Sequence, residues 1–258
     1  MSDTQLIPLL ILSLETATLG GSIYLGRGIV ELAAHSGDPA ISQSASLLSD
    51  IKNVLEEGGT ALQEVELFAC ASGPGSFTGL RIGIATLKAL AASLKRPCVG
   101  IPTLQAVAHA AGPSSATVSL LPAGRGEVFA QLFSVAKDGT VAELDSAAHL
   151  SPARLIERYS GFPDLCWAGS GAHVQRDFLK SYAQEQAIRF EEQTSVGNGV
   201  LARSSDKVWK LSAKETNLAR HVTALALQVF HAGNIQSPQS LSAIYVRPSD
   251  AELNEQCR

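Results

Sequence analysis

The order of secondary-structure elements predicted along the chain occurs twice, and this repeat constrains the fold more than any other feature. In the first half, apolar runs without a helical period predict strands at residues 9–14, 22–25 and 28–35. A helix, a strand and a second helix follow, so this half is predicted as βββαβα. The second half, from residue 118 to 184, gives the same order with negligible residue identity. The sequence therefore predicts an α/β chain with a duplicated architecture.

Two lobes are expected from this duplication. Residues 1–104 form the predicted N-terminal lobe and residues 105–258 the C-terminal lobe, and a helix at 216–233 is expected to pack back near their junction. Residues 194–214 show no clear pattern, and 237–248 are predicted to be extended. Lobes of this order occur in the actin, Hsp70 and sugar-kinase (ASKHA) superfamily, whose members hold a nucleotide between the lobes on glycine turns. A two-lobed actin-like fold is therefore expected, although a fold alone does not establish a function.

The charge balance and the cysteines limit the classes of function. The chain has 258 residues with 20 Lys plus Arg, 24 Asp plus Glu and a net charge of −4, so it lacks the positive excess of a self-sufficient nucleic-acid binder. Its four cysteines form no Cys-x-x-Cys pair, which fits a reducing cytoplasm. The first apolar run, Leu6–Leu14, is too short for a bilayer, which needs about 20 residues, so no membrane anchor is expected.

The most informative stretch is Ser-Gly-Pro-Gly-Ser-Phe-Thr-Gly-Leu-Arg at residues 72–81, where a strand passes through glycines into a helix. Such a turn lets backbone N–H groups converge at a helix N-terminus, which favours an anion or a hydroxyl-bearing partner. It has no Gly-Lys-Ser/Thr ending, and Thr78 replaces the third glycine of G-x-G-x-x-G, so neither nucleotide fingerprint is met. A structural turn is the alternative, with Thr78 capping the helix and Gly79 and Gly83 allowing close packing. The candidate residues of this loop and of the predicted cleft are Gly73, Gly75, Ser76, Phe77, Thr78, Gly79, Arg81 and Arg125.

Three of these residues have alternatives of their own. Arg81 and Arg125 are the basic residues nearest the predicted cleft, where a guanidinium can hold a phosphate or a carboxylate of a partner. Solvent exposure, or a salt bridge to Glu127, is the alternative for them. Ser76 has no G-x-S-x-G context and is interpreted as a turn residue.

Residues 72–88 strongly resemble the GPGSFTGLRIG-A-A-KG signature of the TsaB family, also called YeaZ. The resemblance extends to residues 12–18, 125–129 and 245–252, and so over nearly the full length. It implies a cytoplasmic, actin-like protein that partners TsaD, with TsaE, in making threonylcarbamoyladenosine at position 37 of tRNAs that read ANN codons. In that family the chemistry belongs to TsaD, which TsaB stabilises and activates. The resemblance therefore implies a non-catalytic subunit without a cofactor, which contacts tRNA only through the complex.

The chain departs from its family and from actin-like ATPases at two hairpins. Glu15 stands where the family often has Asp, and Pro-Ala-Gly at 122–124 stands where it often has Asp-Ala-Arg. Acidic residues at these hairpins position Mg²⁺ and water in actin-like ATPases, and a proline supplies neither a carboxylate nor an N–H. Hydrolysis of ATP is therefore not expected, and Glu15 either holds a metal or caps nearby backbone. An independent actin-like nucleotide-dependent phosphotransferase or ATPase remains the alternative function.

The histidines bear on a third class, the metallopeptidases. None of them forms an H-x-x-x-H or H-E-x-x-H pair, so no metal site is predicted.

Two predicted helices are candidates for a docking surface. Their apolar stripes can pack on the sheet, or they can contact a partner, and Gly83, Ala85, Ala89 and Ala92 are small enough for close approach of a foreign helix. The resemblance implies that the N-terminal lobe pairs with the equivalent lobe of TsaD, over roughly 1,200–2,000 Å². Without TsaD the same surface is expected to form a homodimer. The candidate partner-binding residues are Leu47, Leu48, Ile51, Leu55, Ile84, Leu87, Lys88 and Ala91.

Overall fold

The structure is a computed structural model that describes residues 8–40, 43–193 and 207–246. The parts of the sequence predictions that fall on 194–206 and on 247–258 lie outside the described residues. The chain divides into two compact units. Unit 1 comprises the residues up to 72 together with 78–101 and 216–243, and unit 2 comprises 73–77, 102–215 and the residues from 244.

This division differs from the boundary predicted at residue 104 in three places. Residues 102–104 belong to unit 2. Residues 216–243, which include the predicted helix, belong to unit 1 because that helix packs on the first sheet. Residues 73–77 belong to unit 2. These residues contain the two glycines that precede the second helix, and they are called the glycine loop below.

Unit 1 contains one five-stranded sheet with helices on both faces. Its elements are β1 (Leu10–Glu15), β2 (Ser22–Arg27), β3 (Val30–Ser36), α1 (Gln43–Glu57), a 3₁₀ turn (Leu62–Glu64), β4 (Leu67–Gly73), α2 (Phe77–Leu94), β5 (Cys98–Pro102) and α7 (Leu218–His231). The strand order is β3-β2-β1-β4-β5, with β1 antiparallel to β2 and parallel to β4. All of β1 is buried, as expected for a central strand that is covered on both faces. The predicted βββαβα order is confirmed for this unit.

The two faces of β1 explain how the helices are arranged. Leu12 and Leu14 lie in the hydrophobic core together with apolar residues of α1 and α2. Successive strand residues point to opposite faces, so Ser13 faces the other way, and its hydroxyl accepts a hydrogen bond from Thr223 of α7 at 2.6 Å. The side-chain oxygen of Asn217 caps α7, and its amide donates to two carbonyl oxygens of β2 and β3. These contacts hold α7 on the first sheet.

Unit 2 contains the second sheet, with order β11-β12-β10-β6-β7-β8 and β9 paired to β7. Its elements are α3 (Thr103–Ala111), β6 (Ser114–Gly124), β7 (Glu127–Val135), β8 (Val141–Glu143), β9 (Ala148–Leu150), α4 (Pro152–Tyr159), β10 (Asp164–Ala168), α5 (Ser170–Val174), α6 (Arg176–Glu185), β11 (Arg189–Glu192) and β12 (Val208–Leu211). In the core, the rings of Trp167 and Trp209 pack edge to face with 5.0 Å between their centroids, and the ring of Trp209 stacks on that of Tyr182. The element order of the first half is therefore repeated, with additional strands.

Three local predictions for the second half need correction. The helix predicted at 172–184 is two helices, α5 and α6, which meet at Gln175. The region that showed no pattern contains β12, which lies parallel to β10 and β11. The stretch predicted to be extended forms no strand over its described part, 237–246; just before it, Gln236 makes an isolated bridge with Cys98.

By length and composition, α2 is the one helix in the described part of the chain that could cross a membrane. Its inner face is buried in the core of unit 1, including Leu80, Ile84 and Leu87. Such burial is typical of a core helix in a folded domain.

Candidate functional site

The glycine loop is fixed at its first residue. The N–H of Gly73 donates to the hydroxyl of Thr103, the first residue of α3, at 3.1 Å in the buried interior of unit 2. Gly73 has φ +114°, which a residue with a side chain rarely adopts, and the Gly73–Pro74 peptide bond is cis. Thr103 was not predicted as a site residue, because a lone Thr at the start of a helix gives no distinctive sequence signal.

The remainder of the loop differs from its prediction in one respect. The helix α2 begins at Phe77, so the cap position falls on Ser76, and Thr78 lies within the first turn rather than capping it. Ser76 and Thr78 are exposed, Gly79 is buried and Phe77 is half-buried against the ring of Tyr245, at 5.2 Å between centroids. The loop thus presents hydroxyl groups at its surface, with an aromatic contact beneath them.

Gly83 has a role inside the protein. A Cβ at this position would lie 2.0 Å from the Oγ1 of Thr16, in the turn after β1. The glycine is therefore needed for α2 to approach that turn, and its predicted role in admitting a foreign helix is wrong. Ala85, Ala89 and Ala92 of the same helix are exposed.

Most of the predicted partner-binding residues lie in the hydrophobic core. Leu48 is 68% exposed, whereas its neighbour Leu47 is 6% exposed. The apolar stripe of each helix faces the sheet, so its members do not form a surface for a partner, and their assignment to one is corrected. The residues concerned are Leu47, Ile51, Leu55, Ile84, Leu87 and Ala91.

Lys88, also predicted to bind a partner, makes contacts within unit 1. Its Nζ donates to the backbone oxygen of Leu241 at 3.0 Å and to that of Gln239 at 3.4 Å. The Leu241 side chain is 2% exposed and lies in the core of unit 1. Lys88 therefore fixes the segment that follows α7.

Glu15 caps the turn that follows β1. Its carboxylate accepts hydrogen bonds from the N–H of Thr18 at 2.7 Å and from the Thr18 hydroxyl at 2.6 Å. Burial raises the pKa of this carboxyl, and the hydrogen bonds from Thr18 oppose that rise. The space beside it in unit 1 is about 10 Å³, room for about one water. Of the two alternatives for Glu15, the geometry favours capping.

The hairpin between β6 and β7 carries Pro122 and Arg125, both exposed. Of the two alternatives to a cleft role for Arg125, the structure shows solvent exposure, whereas Glu127 pairs with His149 at 2.9 Å. Within 8–40, 43–193 and 207–246, Arg125 forms no ion pair. Gln175 donates from its side-chain amide to the carbonyl oxygen of Gly126 at 2.9 Å and thus fixes the hairpin. The sequence gave no sign of this contact, which joins distant segments.

Among the described residues, few side chains could bind a metal or act as a nucleophile. Among them, no three His, Cys, Asp or Glu side chains are grouped as metal ligands. Burial raises the pKa of the Cys70 thiol to about 12 and that of Cys166 to about 11, so both thiols are protonated at neutral pH. The predicted Arg81 lies exposed on α2.

Comparison with known proteins relates the chain to a tRNA-modification family. The model of the family described as TsaD: tRNA N6-adenosine threonylcarbamoyltransferase matches residues 40–244. The tRNA threonylcarbamoyladenosine biosynthesis protein TsaB of Escherichia coli is 30% identical over 57% of this chain and 65% of its own length. Across the first TsaB relatives, the matched part covers 31% to 65% of the relative.

A transferase and a solved structure also match. The tRNA N6-adenosine threonylcarbamoyltransferase of Granulibacter bethesdensis is 28% identical over 81% of this chain and 50% of its own length. The structure of YeaZ from Pseudomonas aeruginosa superposes with a TM-score of 0.68 at 22% identity, covering 92% of this chain and 99% of that one. The expected actin-like α/β fold is therefore confirmed. The family match and the TsaB relatives agree with the sequence resemblance, and the chain belongs to the TsaB (YeaZ) proteins of the TsaD-related family.

Proposed function

We propose that the chain serves the formation of threonylcarbamoyladenosine in tRNA, as a non-catalytic subunit that binds TsaD and thereby stabilises and activates it. The observation that carries this proposal is its kinship with proteins named for that biosynthesis, above all the Escherichia coli TsaB. TsaE is the third member of the proposed complex, and the modified nucleoside is position 37 of tRNAs that read ANN codons. The net charge of −4 supports contact with tRNA only through the complex, and the absence of a Cys-x-x-Cys pair in the sequence fits the proposed cytoplasmic location.

The state of Glu15 supports a role without catalysis. An acidic group that positions a metal or a water needs oxygen atoms directed at the ligand. Both oxygens of the buried Glu15 instead accept hydrogen bonds from Thr18. At the second hairpin, an exposed proline, Pro122, stands where the family often has Asp.

The outer face of α1 and α2 is the proposed surface for TsaD. Leu48 is a large apolar side chain that is mostly exposed, and Ala85, Ala89 and Ala92 leave the outer side of α2 flat. Flat, small-residue helix surfaces allow the close approach that helix-on-helix packing requires. The same face would form a homodimer when TsaD is absent.

A second candidate function is that the chain itself transfers the threonylcarbamoyl group. The matched family is described as a transferase, and the Granulibacter bethesdensis transferase aligns with 81% of this chain. The actin-like phosphotransferase or ATPase is the other enzymatic alternative, and the same experiment separates all three.

The experiment is a reconstitution with purified proteins. TsaD, TsaE, the adenylate-forming enzyme, Mg-ATP, bicarbonate, labelled threonine and tRNA are mixed with and without the chain, and label in tRNA is counted. We expect product only in the full mixture and none from the chain supplied with the adenylate alone. Equal product without the chain contradicts the proposal, and transfer by the chain alone supports the second candidate. Steady release of phosphate from Mg-ATP by the isolated chain identifies the ATPase.

A further inference from the structure

The end of α2 borders a cavity in the described part of unit 1. This cavity has a volume of about 450 Å³, within the range of roughly 300–1,000 Å³ that is usual for ligand pockets. Its walls include Ala92, Pro97, Ile235 and Pro238, and Ile235 is 50% exposed. The pocket therefore offers an apolar surface that unit 1 leaves open to solvent.

Two cations line the same cavity without a counter-charge. Lys95 is exposed and Arg96 is half-buried, and neither forms an ion pair with any residue in 8–40, 43–193 or 207–246. The cavity walls described include no Asp or Glu. The pocket therefore favours an anionic group beside an apolar one.

Lys95 also occupies a position that suits glycine better. The N–H of Arg96 donates to the Ala91 oxygen at 2.9 Å and that of Lys95 to the Ala92 oxygen at 3.2 Å, which is the Schellman arrangement at a helix end. Lys95 stands at its left-handed position with φ +55°. Glycine adopts this conformation without the strain that a side chain brings. Lys95 therefore adopts this conformation at a cost, and its side chain is exposed.

We propose that this cavity binds a peptide segment of a protein partner that places a carboxylate beside an apolar side chain, with Lys95 and Arg96 holding the carboxylate. RNA is less well suited, because a backbone site needs a longer row of cations and bases stack on aromatic rings. The cavity walls formed by described residues include no aromatic side chain. The site lies at the end of α2 away from the glycine loop. It adjoins the proposed TsaD surface at Ala92, but its test requires neither TsaD nor that surface.

The test uses a fluorescein-labelled octapeptide with two glutamates between leucines, and the same peptide with glutamines in their place. Fluorescence anisotropy is measured for the full chain, for the variants Lys95→Gly and Arg96→Gln, and for Lys137→Gln as a control. Lys137 is an exposed lysine of unit 2 that forms no ion pair among the described residues.

We expect the glutamate peptide to bind at least tenfold more tightly than the glutamine peptide, and each cavity variant to lose about tenfold, which is the effect of one charge-assisted contact. Lys137→Gln should bind as the unaltered chain does. Lys95→Gly should melt no lower than the unaltered chain by circular dichroism, because glycine relieves the strain. Equal binding of the two peptides overturns the proposal, as does unchanged binding by both cavity variants. Displacement of the peptide by polyuridylate at the same concentration of anionic groups also overturns it, in favour of a nucleic-acid site.

Discussion

A Cβ atom on Gly83 would come within 2.0 Å of the Oγ1 of Thr16, and this contact sets how closely α2 approaches the turn after β1. The packing of α2 on this turn thus requires a residue without a side chain at position 83, opposite the hydroxyl of Thr16.

Gly83→Ala should therefore destabilise unit 1. Overpacking costs about 1–3 kcal/mol, and the better helix propensity of alanine offsets about 1 kcal/mol of it. We expect a net loss of up to about 2 kcal/mol in the free energy of unfolding, measured by urea denaturation with far-UV circular dichroism. Tryptophan emission would miss the change, because Trp167 and Trp209 both lie in unit 2. Thr16→Ala in the same chain should recover part of the loss, and strictly additive effects would contradict the contact.

Leu47 and Leu48 form a matched pair for the proposed docking face. Leu47→Asp places a charge in the core of unit 1 and should cost at least about 3 kcal/mol of stability. Leu48→Asp changes an exposed side chain and should alter stability by less than about 0.5 kcal/mol, while it abolishes co-elution with TsaD in size-exclusion chromatography. Retained co-elution of a folded Leu48→Asp chain would argue against this face.

The sequence predicts the strands and helices well, but the side of the helices that it marks as a candidate for binding is buried against the sheet. Apolar periodicity marks the stripe that faces the sheet, so it identified Ile51 and Leu87, which are buried. The exposed Ala89 carries no periodic signal. Contacts between distant segments, such as Lys88 with Leu241, depend on tertiary folding and leave no local pattern. The same holds for β12, whose place between β10 and β11 is set by pairing with strands elsewhere in the chain.

Glu15 should make stability depend on pH. Burial raises the pKa of its carboxyl in the folded protein above the ordinary value near 4.5, which applies to the unfolded chain. At pH values between these two pKa values, the folded protein binds more protons than the unfolded chain. The contribution of this group to the free energy of unfolding therefore falls as the pH rises through this interval. Glu15→Gln removes this dependence and can still accept from the Thr18 N–H. We expect the variant to be more stable than the unaltered chain at pH 7 and to converge with it near pH 4, by urea denaturation at each pH. Parallel pH curves for the two proteins would contradict the assignment.

The described cysteines should be unreactive in the folded protein. Burial raises the pKa of Cys70, Cys98 and Cys166, and the thiolate is the reactive form. In a Cys257→Ser chain at pH 8, iodoacetamide should leave all three unmodified over an hour, as judged by intact-mass spectrometry. Urea should expose them to complete alkylation. Modification of any of them at the rate of a free peptide thiol, before unfolding, would show that its segment opens.

Lys88 should hold the segment after α7 against unit 1. Its ammonium meets the carbonyl oxygens of Gln239 and Leu241, and a hydrogen bond from a charged group contributes about 1.5–3 kcal/mol. Lys88→Met keeps the apolar part of the side chain and removes the ammonium. Any change in amide exchange therefore reports the hydrogen bonds that the ammonium makes. The expected result is faster amide exchange confined to residues 236–243 and to β5, which Gln236 joins through its bridge to Cys98. Lys52→Met, which removes an exposed lysine paired only with Glu56, serves as the control and should leave exchange in this segment unchanged. Because the Leu241 side chain fills the core, faster exchange throughout unit 1 would mean that the segment folds as part of the core and is not separately held by Lys88.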